Sequence, residues 1–153
     1  MAGAGRPHRN RDGRDRPHPP AWSDGPVRSF ALVALGGAAG TLTRYGISHP
    51  LDDGRLLPAG TFGVNVAGSF VLGALLTALV LRGDDSGGRR TLRLLLGTGF
   101  LGGFTTYSAL AVQTHTLLRD DHVALGLAYA VGSVLAGLGA AGAGIAAART
   151  VLR

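Results

Sequence analysis

Few side chains in this sequence could do chemistry, and most of them sit in apolar surroundings. Residues 99–110 read GFLGGFTTYSAL, so three glycines, two threonines, a tyrosine and a serine interrupt a run otherwise fit for lipid. A helix opened around residues 102–106 would leave backbone carbonyls unpaired, and at membrane depth that is tolerated only inside protein or beside a wet cavity or ion. Carbonyls in this state can coordinate a cation, as they do in selectivity filters and in the broken helices of transporters. No carboxylate offers itself instead, because none of the nine aspartates falls within an apolar segment. The same absence argues against proton coupling through an intramembrane acid.

Asn65 and Ser133 raise a second question. An amide or hydroxyl in hydrocarbon is costly unless paired, so each marks either an interhelical hydrogen bond or an ion or substrate pathway. Asn65, Ser69 and Gly73 recur every four residues, as do Tyr129, Ser133 and Gly137, which places each set on one helix face. Gly36 and Gly40 form a further close-packing pair. Enzymatic constellations are missing: His8 and His18 lie in a polar tail, His49 and His122 flank turns, and His115 alone sits late in an apolar run. Without cysteine there is no thiol nucleophile or thiolate metal site. Without lysine or a phosphate-cradling glycine loop there is no nucleotide site.

The elements that must carry these residues follow from composition. With 153 residues, 46% hydrophobic and only 16% charged, the chain suits a bilayer better than water. Four apolar segments, at about 27–48, 60–81, 92–118 and 123–148, each meet the ~20 residues of a spanning helix. Polar, turn-like connections separate them: HPLDDGRLLP, RGDDSGGRR and RDDH. Residues 1–26, rich in Arg, Pro, Gly and His, are expected to form a disordered cytosolic tail ahead of a 27–153 transmembrane domain. The first apolar run is too long for a signal peptide and lacks a small-residue cleavage site, so it reads as a retained helix.

Every basic residue is arginine, and their placement predicts orientation. With both termini in the cytosol, twelve arginines lie inside and three (Arg44, Arg55 and Arg119) outside. Attraction to anionic lipid and topology setting account for the basic tail without nucleic acid.

Four blocks together carry a resemblance: GGAAGTLTRY at 36–45, GTFGVNVAGSFVLG at 60–73, GFLGGFTTYSAL at 99–110 and YAVGS at 129–133. In this order the sequence resembles the Fluc (CrcB-type) fluoride ion channels of bacterial membranes. The resemblance implies an all-α membrane protein of four transmembrane helices, the third broken at mid-membrane, assembled as an antiparallel, dual-topology-type dimer. It also implies two fluoride pores and passive fluoride efflux across the cell membrane. A structural Na+ at the dimer centre, held and not transported, would take the backbone carbonyls of Gly102 and Thr105. Asn65 would hydrogen-bond fluoride, Tyr129 and Ser133 would continue a polar track that Thr106 and Tyr107 adjoin, and Arg44 would stand near an aqueous vestibule. Neutral donors of this kind suit a small, strongly hydrated anion, which must lose its water without being held too tightly.

The chain departs from that family in three places. Where the family pattern is close to TTFSTF this sequence reads TTYSAL, so Tyr107 keeps an aromatic ring but Leu110 has no quadrupole to offer an anion. Gln113 stands where members often carry glutamate. A twelve-to-three arginine bias resists insertion in both directions. Besides a homodimer, these departures suggest a heterodimer with an oppositely oriented paralogue. Two other readings stand beside the channel: a non-conducting partner subunit, and a small multidrug-type secondary transporter. The second generally needs a membrane-embedded glutamate, and this sequence has no glutamate at all.

Overall fold

The computed structural model describes residues 25–152; the expected tail, 1–26, therefore lies outside the described residues except at its last two positions. The described chain is all-helical. Helix α1 (Pro26–Asp52) opens with proline in its first turn, where a missing N–H costs nothing, and continues four residues past the expected end to include Pro50. Helix α2 (Ala59–Leu81) and helix α4 (Val123–Val151) are uninterrupted. Helix α3 (Gly87–Arg119) is not: it passes from α-helix at Gly87–Leu92 to a π-helical stretch at Arg93–Leu101, then a single α-helical turn at Gly102–Phe104. Thr105 (ψ 153°) and Thr106 (φ −148°, ψ 125°) are extended, and α-helix resumes at Tyr107–Arg119.

Three of the four helices, α2, α3 and α4, are long and apolar enough to cross a membrane. The sequence leads one to expect four. With 27 residues α1 has the length, but its four glycines, its threonines, Arg28, Arg44 and His49 dilute its apolarity below that of the others.

What holds the helices together is backbone proximity at glycine rather than an oily core. On the α1–α3 contact, a Cβ at Gly36 would strike the Leu95 carbonyl, one at Gly40 the Phe100 carbonyl, and one at Gly103 the Gly37 carbonyl. On the α2–α4 contact, Gly73 lies against the Ala141 carbonyl and Gly144 against the Phe70 carbonyl. Such contacts replace the hydrophobic drive that lipid removes. Correspondingly, few large apolar side chains are buried, among them Val64, Leu101, Leu110 and Leu117, while Leu35, Leu42, Val112 and Leu138 point outward. At the α2–α3 turn, the Arg93 guanidinium grips Asp85 at 2.7 Å. Its hydrogen bonds hold the Asp85 carboxyl below the usual carboxylate range.

Candidate functional site

The interruption of α3 is held by side chains from α1 and α2. Thr106 N donates to Asn65 Oδ1 at 2.7 Å, and Asn65 Nδ2 donates to the Thr106 carbonyl at 2.9 Å. One amide from α2 thus satisfies both backbone groups of a residue that has left the helix, which is the condition for tolerating such a residue away from water. In a continuous α-helix, Thr106 N would bond the Gly102 carbonyl; directed to Asn65, it leaves that oxygen without its helical donor. One residue on, the Gly103 carbonyl accepts from Arg44 Nε at 3.3 Å and from Thr41 Oγ1 at 3.4 Å. Thr105 turns back, its N and Oγ1 both donating to the Leu101 carbonyl at 3.0 and 2.9 Å. Gly68 makes room, since a Cβ there would strike Thr105 Cγ2.

Local sequence explains where the helix restarts. Thr106 Oγ1 accepts from Ala109 N at 3.2 Å, the bond of an N-cap, and two adjacent β-branched residues are poor helix formers. As donors for a cation, the groups at the interruption are hard carbonyl oxygens. Gly102 is exposed, with open space where a side chain would stand. This chemistry suits an alkali ion. Among the described residues no cluster of His, Cys, Asp or Glu could hold a metal instead.

A second polar system lies between the α1–α2 turn and the far half of α3. The Asp52 carboxylate accepts from Gly60 N (2.6 Å), Thr61 N (3.0 Å) and Thr61 Oγ1 (2.7 Å), and so caps the amino end of α2. Gln113 Nε2 donates to Thr61 Oγ1 at 2.9 Å and to Asp52 Oδ2 at 3.3 Å, while Gln113 Oε1 accepts from Tyr129 Oη at 2.8 Å. A cavity of about 320 Å³ opens among Arg44, Ser48, Asp52, Thr61 and Gln113.

The residues singled out from the sequence therefore separate into groups. Asn65, Arg44, Thr105 and Thr106 meet at the interruption. Tyr129 and Ser133 are buried one turn apart on α4. Ser133 Oγ has no hydrogen-bond partner among the described residues, and the residue borders a cavity of about 280 Å³ with Phe62, Gly132 and Tyr129. Tyr107 is 79% exposed and joins neither group within this chain. Sequence reasoning missed Asp52 and Thr61 and saw Gln113 only as a substitution. The available signal was an aspartate closing one helix shortly before the Gly60–Thr61 start of the next, a capping arrangement.

Together these features define a small multi-pass membrane protein with neutral polar groups buried between helices. The sequence profile described as "CrcB-like protein, Camphor Resistance (CrcB)" matches residues 31–145. "Fluoride-specific ion channel FluC 2" of Leifsonia xyli is 49% identical over 119 residues, 78% of this chain and 82% of that one. "Fluoride-specific ion channel FluC 1" of Cutibacterium acnes is 48% identical, covering 79% and 85%. "Fluoride-specific ion channel FluC" of Gloeobacter violaceus is 41% identical over 129 residues, 82% of this chain and 99% of that one. The chain belongs to the CrcB family, a family of fluoride channels and not of enzymes.

Proposed function

We propose that this chain is a subunit of a fluoride-specific channel in the cell membrane, lowering cytosolic fluoride by passive efflux. All four helices, α1 included, span the bilayer, with both termini in the cytosol as the arginine distribution favours. The observation that carries the reading is Ser133, a residue one turn from Tyr129 that lines a cavity and whose buried hydroxyl has no partner among the described residues. A buried donor left unsatisfied is costly, and a compact anion is the partner that neutral donors suit. Asn65 adds to this path: one Nδ2 hydrogen goes to Thr106, and the amide has a second to offer an anion. Arg44, part-buried beside the interruption, supplies positive potential at the approach.

Two subunits assemble antiparallel, with the interruption of α3 at mid-membrane and at their shared axis. There the Gly102 and Thr105 carbonyls hold a structural Na+, whose charge offsets oxygens that no helix satisfies. The arginine bias supports an oppositely oriented paralogue as partner in preference to a second identical chain. A non-conducting role within such a pair is the second reading. It is favoured by Leu110, which packs with Leu117 and Tyr129 in place of an aromatic residue able to face an anion.

Liposomes loaded with fluoride and chloride test the proposal, with the chain reconstituted alone and together with its paralogue. Fluoride release with chloride retained is the expected result. Release of neither ion from both preparations would refute it, and release only from the pair would assign this chain to a heterodimer.

A further inference from the structure

The Asp52 carboxylate faces four donors: Gly60 N, Thr61 N, Thr61 Oγ1 and Gln113 Nε2. An ionised carboxylate can only accept, so every group turned toward it must donate. Thr61 therefore gives its hydroxyl proton to Asp52 at 2.7 Å, and its lone pair receives Gln113 Nε2 at 2.9 Å. With its Nε2 committed to that side, Gln113 presents Oε1 to Tyr129, and the phenol answers by donating at 2.8 Å. Direction thus passes from the end of α1, through the first turn of α2 and the far half of α3, to the buried hydroxyl of α4. Reversing the first member would reverse the rest. Gln113 would turn its amide, Nε2 would donate to Tyr129 Oη, and the phenolic hydrogen would be released toward the neighbouring Ser133 cavity, which Tyr129 also borders.

Resting on the fluoride-channel reading, we propose that Asp52 is a positioning residue of the ion pathway. By fixing the amide of Gln113 it holds the Tyr129 hydroxyl as a donor to Gln113 and withholds that donor from a passing anion. The restraint belongs to this chain's own residues and needs no ligand to be present.

Two readouts test it, the first independent of conduction. In purified full-length protein labelled with ring-13C tyrosine, the infrared C–O stretch of Tyr129 is isolated by subtracting the spectrum of Tyr129→Phe, which leaves Tyr45 and Tyr107. Asp52→Ala, which removes the acceptor and frees the Thr61 hydroxyl to donate to Gln113 instead, should move this band to that of a phenol that accepts from an amide and no longer donates to one. Asp52→Leu, close in size and likewise without an acceptor, should do the same and covers the case in which the alanine variant fails to fold. A band unmoved in a folded variant would overturn the proposal.

The second readout is fluoride efflux from liposomes holding the chain with its paralogue. Asp52→Ala should speed efflux about tenfold, the worth of one hydrogen bond to a charged partner, and should leave the rate unchanged in the Tyr129→Phe background. Equal acceleration in both backgrounds would reduce Asp52 to a nearby negative charge and overturn the positioning role. Should the unaltered pair release no fluoride, the channel reading fails, and the tyrosine band alone decides whether Asp52 sets the hydroxyl.

Discussion

Asn65 does two jobs that compete for one amide. Its Oδ1 and one Nδ2 hydrogen hold Thr106 in place, at 2.7 and 2.9 Å, and only what is left can face an ion. Replacing it by leucine strands the Thr106 N–H and carbonyl together, each at about 1–3 kcal/mol when buried. Asn65→Leu is therefore expected to lower the thermal transition in detergent sharply as well as to abolish fluoride flux. A variant that melts like the native protein would contradict the structural half of that account. Much of this was open to reading: a lone asparagine in an apolar helix announces a partner, and a Thr-Thr pair after glycines announces a stop. That the partner is the backbone of Thr106 was not readable, because residues 41 positions apart are joined by tertiary packing alone. Asp52 escaped for a related reason. Read as a loop residue, it showed nothing of the helix that runs through Pro50 to reach it.

At the scale of elements, the helices meet through positions where any side chain would collide with a carbonyl oxygen. Gly144 lies against the Phe70 carbonyl, whereas Gly139 on the same helix has open space where its Cβ would stand. Gly144→Ala should destabilise the α2–α4 contact by about 1–3 kcal/mol through overpacking, while Gly139→Ala should be neutral or stabilise by about 0.5–1 kcal/mol through helix propensity. Thermal melts of the two variants in one detergent provide the check, and similar shifts would show that the contact does not depend on backbone approach. The four-residue spacing of Asn65, Ser69 and Gly73 and of Tyr129, Ser133 and Gly137 was visible in the sequence and does mark faces turned toward other helices. The π-helical stretch Arg93–Leu101 was not visible. A π-turn has no strong local sequence signature; here it lies where α1 pushes Gly36 and Gly40 against the Leu95 and Phe100 carbonyls. The motif position assigns Tyr107 to the pathway, and in the single chain the residue is 79% exposed, directed out of the bundle.

The whole sequence carries an asymmetric arginine distribution, and many large apolar side chains are exposed among the described residues. For a chain in a bilayer these are its topology signal and its solvent contact. Because the protein has no cysteine, single cysteines added at the two ends report sidedness without interference. Both should react with a membrane-impermeant reagent from the cytosolic face only; equal labelling from both faces would restore the homodimer. Removing residues 1–25 should leave efflux by the assembled channel intact and affect only the proportion of correctly inserted chains. The central claim is that buried neutral donors in this bundle pass fluoride, and Ser133 tests it most directly. Its hydroxyl bonds nothing among the described residues, so Ser133→Ala removes no hydrogen bond within them. In liposomes holding the assembled channel, the account predicts fluoride efflux slowed about tenfold, the loss of one hydrogen bond to an ion, with a melting temperature unchanged or raised. Efflux at the native rate from the alanine variant would contradict it.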